Sequence, residues 1–210
     1  NPEYIDKNYS QIFIVWDKIF GTFQSELKNI KPVYGILKPF NTWNPVIINF
    51  NHLWHLVRDA WRTKSWFDKL RIWFMPTGWR PKDIEKKFPV TVINNIDYQE
   101  KYDTKNSSQV IIWSWMQLGF TGVLIFHFFT VITNTTMIIS YLYAIILILH
   151  VFSFTSTMDQ RFIGIIGEGI KILLVVLIIY FQDYSWFGLS GHYLYALIFY
   201  FVTSFLITSY

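Results

Sequence analysis

The sequence predicts an all-α integral membrane protein, in which amphipathic, interfacial helices of a polar cap are followed by a bundle of about four transmembrane helices. Three observations carry this prediction. Of the 210 residues 52% are hydrophobic, 20% aromatic and only 15% charged, which is not the profile of a soluble domain. Charge is also divided unevenly: residues 1–105 hold 16 of the 18 Lys and Arg and 11 of the 14 Asp and Glu, against 2 and 3 in residues 106–210. Finally, the second half contains apolar runs long enough to cross a bilayer. Residues 1–105 are therefore read as a cap with interfacial helices and residues 106–210 as the membrane part.

The elements follow in order. From Tyr9 to Phe23, the residues Ile12, Val15, Trp16, Ile19, Phe20 and Phe23 recur at steps of three and four, which predicts one face of a short helix ended or loosened by Gly21. Lys28 to Pro45 contains Pro32, Gly35, Pro39 and Pro45, and each proline removes a backbone donor and disfavours helix at the residue before it. An extended connector is expected there. From Val46, the recurrence of Ile47, Phe50, Trp54, Val57 and Trp61 with polar residues between them predicts an amphipathic helix. A second runs through Trp66, Phe67, Leu70, Ile72, Trp73 and Phe74 to Pro76 and Gly78, with Lys64, Lys69 and Arg71 on its polar side. Apolar, Trp-rich faces beside basic ones suit helices lying among lipid headgroups, although an ordinary half-buried helix gives the same pattern. Arg80 to Lys105 reads as a solvated surface loop.

Four spans follow, over residues 110–132, 137–154, 162–181 and 192–209. The first is 23 residues without a formal charge, enough at about 1.5 Å per residue to cross roughly 30 Å of hydrocarbon. The third carries Glu168 and Lys171 on one helix face. They either pair inside the bundle or lie near the interface with Lys171 reaching outward, and the second arrangement is the expected one. Gly164, Gly167 and Gly169 permit close helix packing there. The bias of Lys and Arg places the cap on the cytoplasmic face of a bacterial inner membrane, or of the endoplasmic reticulum in a eukaryote.

The chemistry is limited by what is missing. Without cysteine there are neither disulfides nor thiolate metal sites. The run from Gly164 to Gly169 has glycine spacing but lies in an apolar segment and follows no strand, so it does not read as a phosphate loop. Aromatic and basic residues here follow helical spacing beside spans, which points to a membrane surface and not to nucleic acid. His52 and His55 stand three apart with no further ligand near in sequence, and His127, His150 and His192 are isolated, so hydrogen-bonding or core roles fit them better than metal binding. No catalytic residue and no metal ligand set is assigned within the chain.

NPEYIDKNYS followed by WDKIFGTF resembles the segment that directly follows the last histidine box in the fatty acid hydroxylase/sterol desaturase superfamily of membrane diiron oxygenases, in its alkylglycerol monooxygenase-like branch. The resemblance rests on Asn1, Ile5, Asp6, Asn8, Tyr9, Trp16, Asp17, Phe20, Gly21, Thr22 and Phe23, with PVYGILKPFNTWNP and the Met75–Pro81 stretch MPTGWRP also similar. Ser10 departs from the usual glycine. The iron-binding histidine boxes of the family would precede Asn1.

The resemblance implies a diiron centre held by those upstream histidines, O₂-dependent hydroxylation of a lipid C–H bond, and tetrahydrobiopterin as electron donor. It makes the chain the C-terminal part of such an enzyme, inactive alone, with the lipid bilayer, a lipid substrate and the histidine-box region as partners. Asn1, Tyr4, Asp6, Asn8, Tyr9, Trp16 and Asp17 become candidates for supporting the iron ligands or walling the site against water. Alternatively, Asp6 and Asn8 cap the helix expected from Tyr9 and Trp16 merely packs. A non-catalytic membrane scaffold or complex subunit derived from the family is the rival function.

Overall fold

A computed structural model describes residues 1–35, 40–90 and 101–209. Its helices are α1 (Ile14–Phe20), α2 (Pro45–Arg62), α3 (Trp66–Arg71), α4 (Lys82–Lys87), α5 (Ser108–Val131), α6 (Met137–Met158), α7 (Ile163–Phe181) and α8 (His192–Ser209). Among the described residues no strand forms; two isolated bridges, Leu27 with Ile30 and Trp186 with Leu189, close tight turns. The chain divides into two compact units, residues 1–40 with 88–101, and residues 41–87 with 102–210.

In the first unit, α1 is shorter than the periodicity predicts. The helix expected from Tyr9 begins only at Ile14, because Gln11 has a φ of 48°, in the left-handed region, and the N–H groups of Tyr9 and Ser10 are held by the Asp17 carboxylate. Asp6 and Asn8, also left-handed at φ 56° and 54°, lie too far upstream to cap it. Gly21 ends the helix as expected, at φ 71°.

The second unit is built on four long helices, each long and apolar enough to span a membrane. They form around Tyr143, Ile146, Val175, Leu197 and Phe201, with Trp186 folded in from the α7–α8 turn. The second span runs to Met158, a turn beyond residue 154. The hydroxyls of Ser153, Thr155 and Thr157 donate back to the carbonyls of Leu149, Val151 and Ser153, which satisfies these polar groups within the helix at this end. α6 and α7 approach closely at two glycines. A Cβ on Gly164 would stand 2.8 Å from Thr157 Oγ1 and 3.0 Å from the Ser153 carbonyl; one on Gly167 would stand 2.5 Å from Ser153 Oγ.

α2 starts where Asn44 Oδ1 accepts the N–H groups of Val46 and Ile47 and Pro45 takes the first position. Its N-terminus is moored to α6: Asn44 Nδ2 donates to the Phe152 carbonyl at 3.0 Å and to Ser156 Oγ at 2.7 Å. Just beyond α6, Asp159 accepts from Thr42 Oγ1, from the Trp43 N–H at 2.7 Å and from the Tyr102 hydroxyl at 3.0 Å. Thr104 and Asn106 donate to the Met158 carbonyl. The start of α2, the approach to α5 and the α6–α7 turn therefore meet at one end of the bundle.

The second amphipathic stretch is helical only to Arg71. It continues as a 3-10 turn over Ile72–Phe74, and Ser65 caps its start by accepting the Asp68 N–H. The loop expected over Arg80–Lys105 contains α4, held by the buried Ile84; residues 91–100 of that expectation lie outside the described residues.

Candidate functional site

The motif at the start of the chain is held by its own polar side chains. Asn1 Oδ1 accepts the Val33 N–H at 2.7 Å, and the Tyr4 hydroxyl accepts from the Leu27 N–H and donates to the Ile30 carbonyl, both at 2.8 Å. The Asn8 amide acts as a backbone unit would, accepting from the Gln24 N–H at 3.0 Å and donating to the Gln24 carbonyl at 2.8 Å. Three of the named residues thus stitch residues 1–8 to residues 24–33.

Asp17 is the fourth such residue. Its side chain accepts from the Tyr9 N–H (2.9 Å), the Ser10 N–H (3.0 Å) and Thr22 Oγ1 (2.7 Å), and its carbonyl accepts from the N–H groups of Thr22 and Phe23. Burial raises its pKa, yet the hydrogen bonds from Thr22, Ser10 and Tyr9 together outweigh that and hold the carboxyl below its usual range. Ser10 in place of glycine adds a side-chain hydrogen bond to Asp17 beside that of its N–H, while its carbonyl accepts the Phe13 N–H at 2.9 Å.

These residues do not all converge. Asn1, Tyr4, Asp6 and Asn8 line one open cleft of about 760 Å³ with Glu26 and Tyr34, and Asp6 and Glu26 are exposed carboxylates in it. Tyr9, Trp16 and Asp17 are not part of that lining. Trp16 stacks on Phe20 with ring centroids 6.3 Å apart, and Tyr9, Ile12, Phe13, Trp16 and Phe20 are largely exposed. Helix α1 therefore presents a continuous apolar face.

A second polar cluster lies inside the four-helix bundle. Lys171 Nζ donates to Glu168 Oε1 at 2.6 Å, to His150 Nδ1 at 3.0 Å and to Ser204 Oγ at 3.4 Å. Lysine has only donors, so His150 Nδ1 must accept and its proton sits on Nε2, which faces the Gln117 carbonyl and the Tyr200 hydroxyl at 3.3 Å each. Ser204 Oγ donates to Glu168 Oε2 at 2.9 Å and touches Gln117 Oε1 at 3.1 Å. The expectation that Lys171 reaches outward to the interface is overturned. Both charged groups are fully buried, because α7 begins at Ile163 and carries them one to two turns in, where three other helices supply partners. The sequence flags Glu168 and Lys171 as a pair on one helix face and His150 by itself, and gives no sign of Gln117, Tyr200 or Ser204 as their partners. The only available signal for those was a polar residue interrupting an apolar run.

Among the described residues, no group of three or more His, Asp or Glu is placed to hold a metal ion, so the residues present do not fit an iron centre. His52 and His55 do not form one: Arg58 Nη2 donates to His55 Nδ1 at 2.5 Å. Burial and then the Arg58 guanidinium push the pKa of His55 down.

Four spanning helices with a polar segment moored to one end define an all-α integral membrane protein. The chain is similar to proteins named alkylglycerol monooxygenase. It is 26% identical to that of Xenopus tropicalis over 92% of this chain and 42% of the relative, 46% identical to that of Homo sapiens over 37% of this chain and 17% of the relative, and 37% identical to that of Caenorhabditis elegans over 39% and 18%. The chain thus spans less than half the length of these curated relatives. No family model and no solved structure matches it.

Proposed function

We propose that the chain is the C-terminal part of a membrane monooxygenase that hydroxylates a C–H bond of a lipid, in the manner its resemblance to the alkylglycerol monooxygenase-like branch implies. One atom of O₂ enters the lipid and the other leaves as water, with two electrons drawn from a reduced pterin. The observation that carries this reading is the similarity to the Xenopus protein over 92% of the chain, which takes in polar segment and spans together. The iron pair would be held by histidines N-terminal to Asn1, so no step is assigned to it here.

In this reading, the contribution of residues 1–35 is the shape of the strap that runs on from the last iron ligands. Asn1, Tyr4, Asn8 and Asp17 fix its backbone, and the exposed Asp6 carboxylate, beside the Tyr9 hydroxyl, would accept a hydrogen bond from an imidazole N–H. Tyr9, Trp16 and the exposed face of α1 lie outside that cleft and would serve as an apolar contact surface of the strap. In this reading the cap faces the cytoplasm: the start of α2 and Arg161 lie toward one end of the spans, whereas the turns at the other end, residues 132–136 and 182–191, contain no Lys or Arg. Lipid enters sideways from the bilayer, past α2 and α3.

The test is iron and turnover in the intact protein, produced with the sequence that precedes Asn1. The expected result is bound iron and O₂-dependent hydroxylation of an ether lipid, both lost when the upstream histidines are replaced. An intact protein that folds in membranes yet binds no iron would make the chain a scaffold instead.

A further inference from the structure

We propose that α2 and α3 together form a lipid-contact surface that lies in the headgroup layer of the leaflet at the cap end of the bundle, and that this surface favours anionic lipid. The inference rests on α5–α8 spanning the membrane and not on oxygenase chemistry.

Depth is set by the mooring of α2. Asn44, its capping residue, bonds to the Phe152 carbonyl and to Ser156 Oγ, and Phe152 stands six residues before the end of α6 at Met158. Ser156 stands two residues before that end, so at about 1.5 Å per residue α2 begins roughly 3–9 Å below the end of that span, overlapping the roughly 5–10 Å at which interfacial helices lie. A helix starting there in water-filled space would leave its outward face to solvent. Instead that face is apolar.

Phe50, Trp54, Val57 and Trp61 form one stripe along α2 at steps of four, three and four, while the buried Asp59 on the opposite side pairs with Arg80 at 2.6 Å. The stripe continues onto the next segment through Trp66, Phe67, Leu70 and Phe74. Trp61, Trp66 and Phe74 are 83%, 80% and 88% exposed, far more than aromatic side chains keep in contact with water without a partner. Tryptophan and phenylalanine at this depth suit the boundary between headgroups and acyl chains.

Charge selects the lipid. Lys69 Nζ lies 5.2 Å over the Trp66 ring, and the Arg71 guanidinium sits between the rings of Phe67 and Trp79. Lys64, Arg71 and Lys82 rim a cleft of about 510 Å³ beside α3. Its two carboxylates are engaged within the protein, Asp68 by Arg71 at 3.0 Å and Asp83 by Thr63 Oγ1 and the Lys64 N–H at 3.0 Å each. Lys64, Arg71 and Lys82 outnumber these two carboxylates, so the cleft keeps a net positive charge toward the headgroup layer, where anionic phosphates gather.

The chain has no cysteine, so single cysteines report cleanly. Trp61→Cys, Phe67→Cys, Phe74→Cys and, as a control on the polar side of α4, Glu85→Cys are spin-labelled in the full chain in phosphatidylcholine vesicles with and without phosphatidylglycerol. Collisions with O₂, which enriches in lipid, and with a water-soluble nickel chelate are then compared. Labels at 61, 67 and 74 should meet O₂ several-fold more than nickel, and the label at 85 the reverse. Phosphatidylglycerol should raise the O₂-to-nickel ratio at 67, and Lys64→Gln with Lys82→Gln should abolish that rise. Nickel access at 61, 67 and 74, or shielding from both colliders as under a protein partner, would overturn the lipid surface. An unchanged ratio with phosphatidylglycerol would overturn its anionic preference.

Discussion

Lys171 Nζ lies 2.6 Å from Glu168 Oε1 with both side chains wholly buried between four spanning helices. A charge removed from water is tolerable only when its partner and remaining hydrogen bonds are present, and here His150 and Ser204 complete the set. Lys171→Met alone strands the Glu168 carboxylate, and Glu168→Gln alone strands the ammonium group. Each single change should cost about 3–5 kcal/mol, whereas the double variant should lie much closer to the parent. Reversible denaturation in mixed detergent micelles, read as a double-mutant cycle, measures the coupling. Additive losses would mean that the pair is not a unit.

The glycines of α7 give a graded prediction. Gly164→Ala forces a methyl against the Ser153 carbonyl and the Thr157 backbone, neither of which can rotate away, and should cost about 1–3 kcal/mol. Gly167→Ala meets Ser153 Oγ, so Ser153→Ala should restore part of its loss. Gly169→Ala meets nothing nearer than 3.9 Å and should be neutral or slightly stabilising, since alanine favours helix. The same micelle unfolding assay ranks the three.

Asp17 makes the start of the chain sensitive to acid. Its folded pKa lies below the usual value of 3.8, so its contribution is present above that value and is lost as pH falls through the lower, folded one. Hydrogen exchange at the N–H groups of Tyr9, Ser10, Thr22 and Phe23 should therefore accelerate together below about pH 4. Asp17→Asn should show fast exchange at Tyr9 and Ser10 already at pH 7, with the acid step gone. Unchanged protection in that variant would show that the loop is held by other means.

Asn44 carries two duties that substitutions can separate. Asn44→Ala removes the cap of α2, a loss of about 1 kcal/mol, and also takes a partner from the buried Ser156 hydroxyl. Asn44→Ser keeps a capping oxygen and loses the donor to the Phe152 carbonyl without placing a charge in this buried position. Protease sensitivity of residues 45–62 should rise in both variants and more in Asn44→Ala; equal sensitivity would mean that only the tether to α6 matters.

Much of the architecture is legible in the sequence because it depends on local spacing. The four spans follow from uninterrupted apolar length, and α2 follows from the recurrence of Phe50, Trp54, Val57 and Trp61. The same local reading fails at Tyr9. Apolar residues keep helical spacing there, but Gln11 turns left-handed and Asp17 takes the N–H groups that a helix would have used. Periodicity records which faces are apolar and not which backbone donors a distant carboxylate will claim.

What the sequence by itself determined is therefore the class of protein, an all-α integral membrane chain, since apolar runs of about twenty residues satisfy their own backbone in hydrocarbon as helices. What only the tertiary structure decided is where the polar groups go. Gln117 meets Ser204 across 87 residues of sequence, Lys171 meets His150 across 21, and Asp159 meets Thr42 across 117. A lone polar residue in an apolar run has no preferred partner until helices pack. The energy of a hydrogen bond in a dry interior depends on that meeting, so the fate of Lys171 is set by the bundle and not by the segment that carries it.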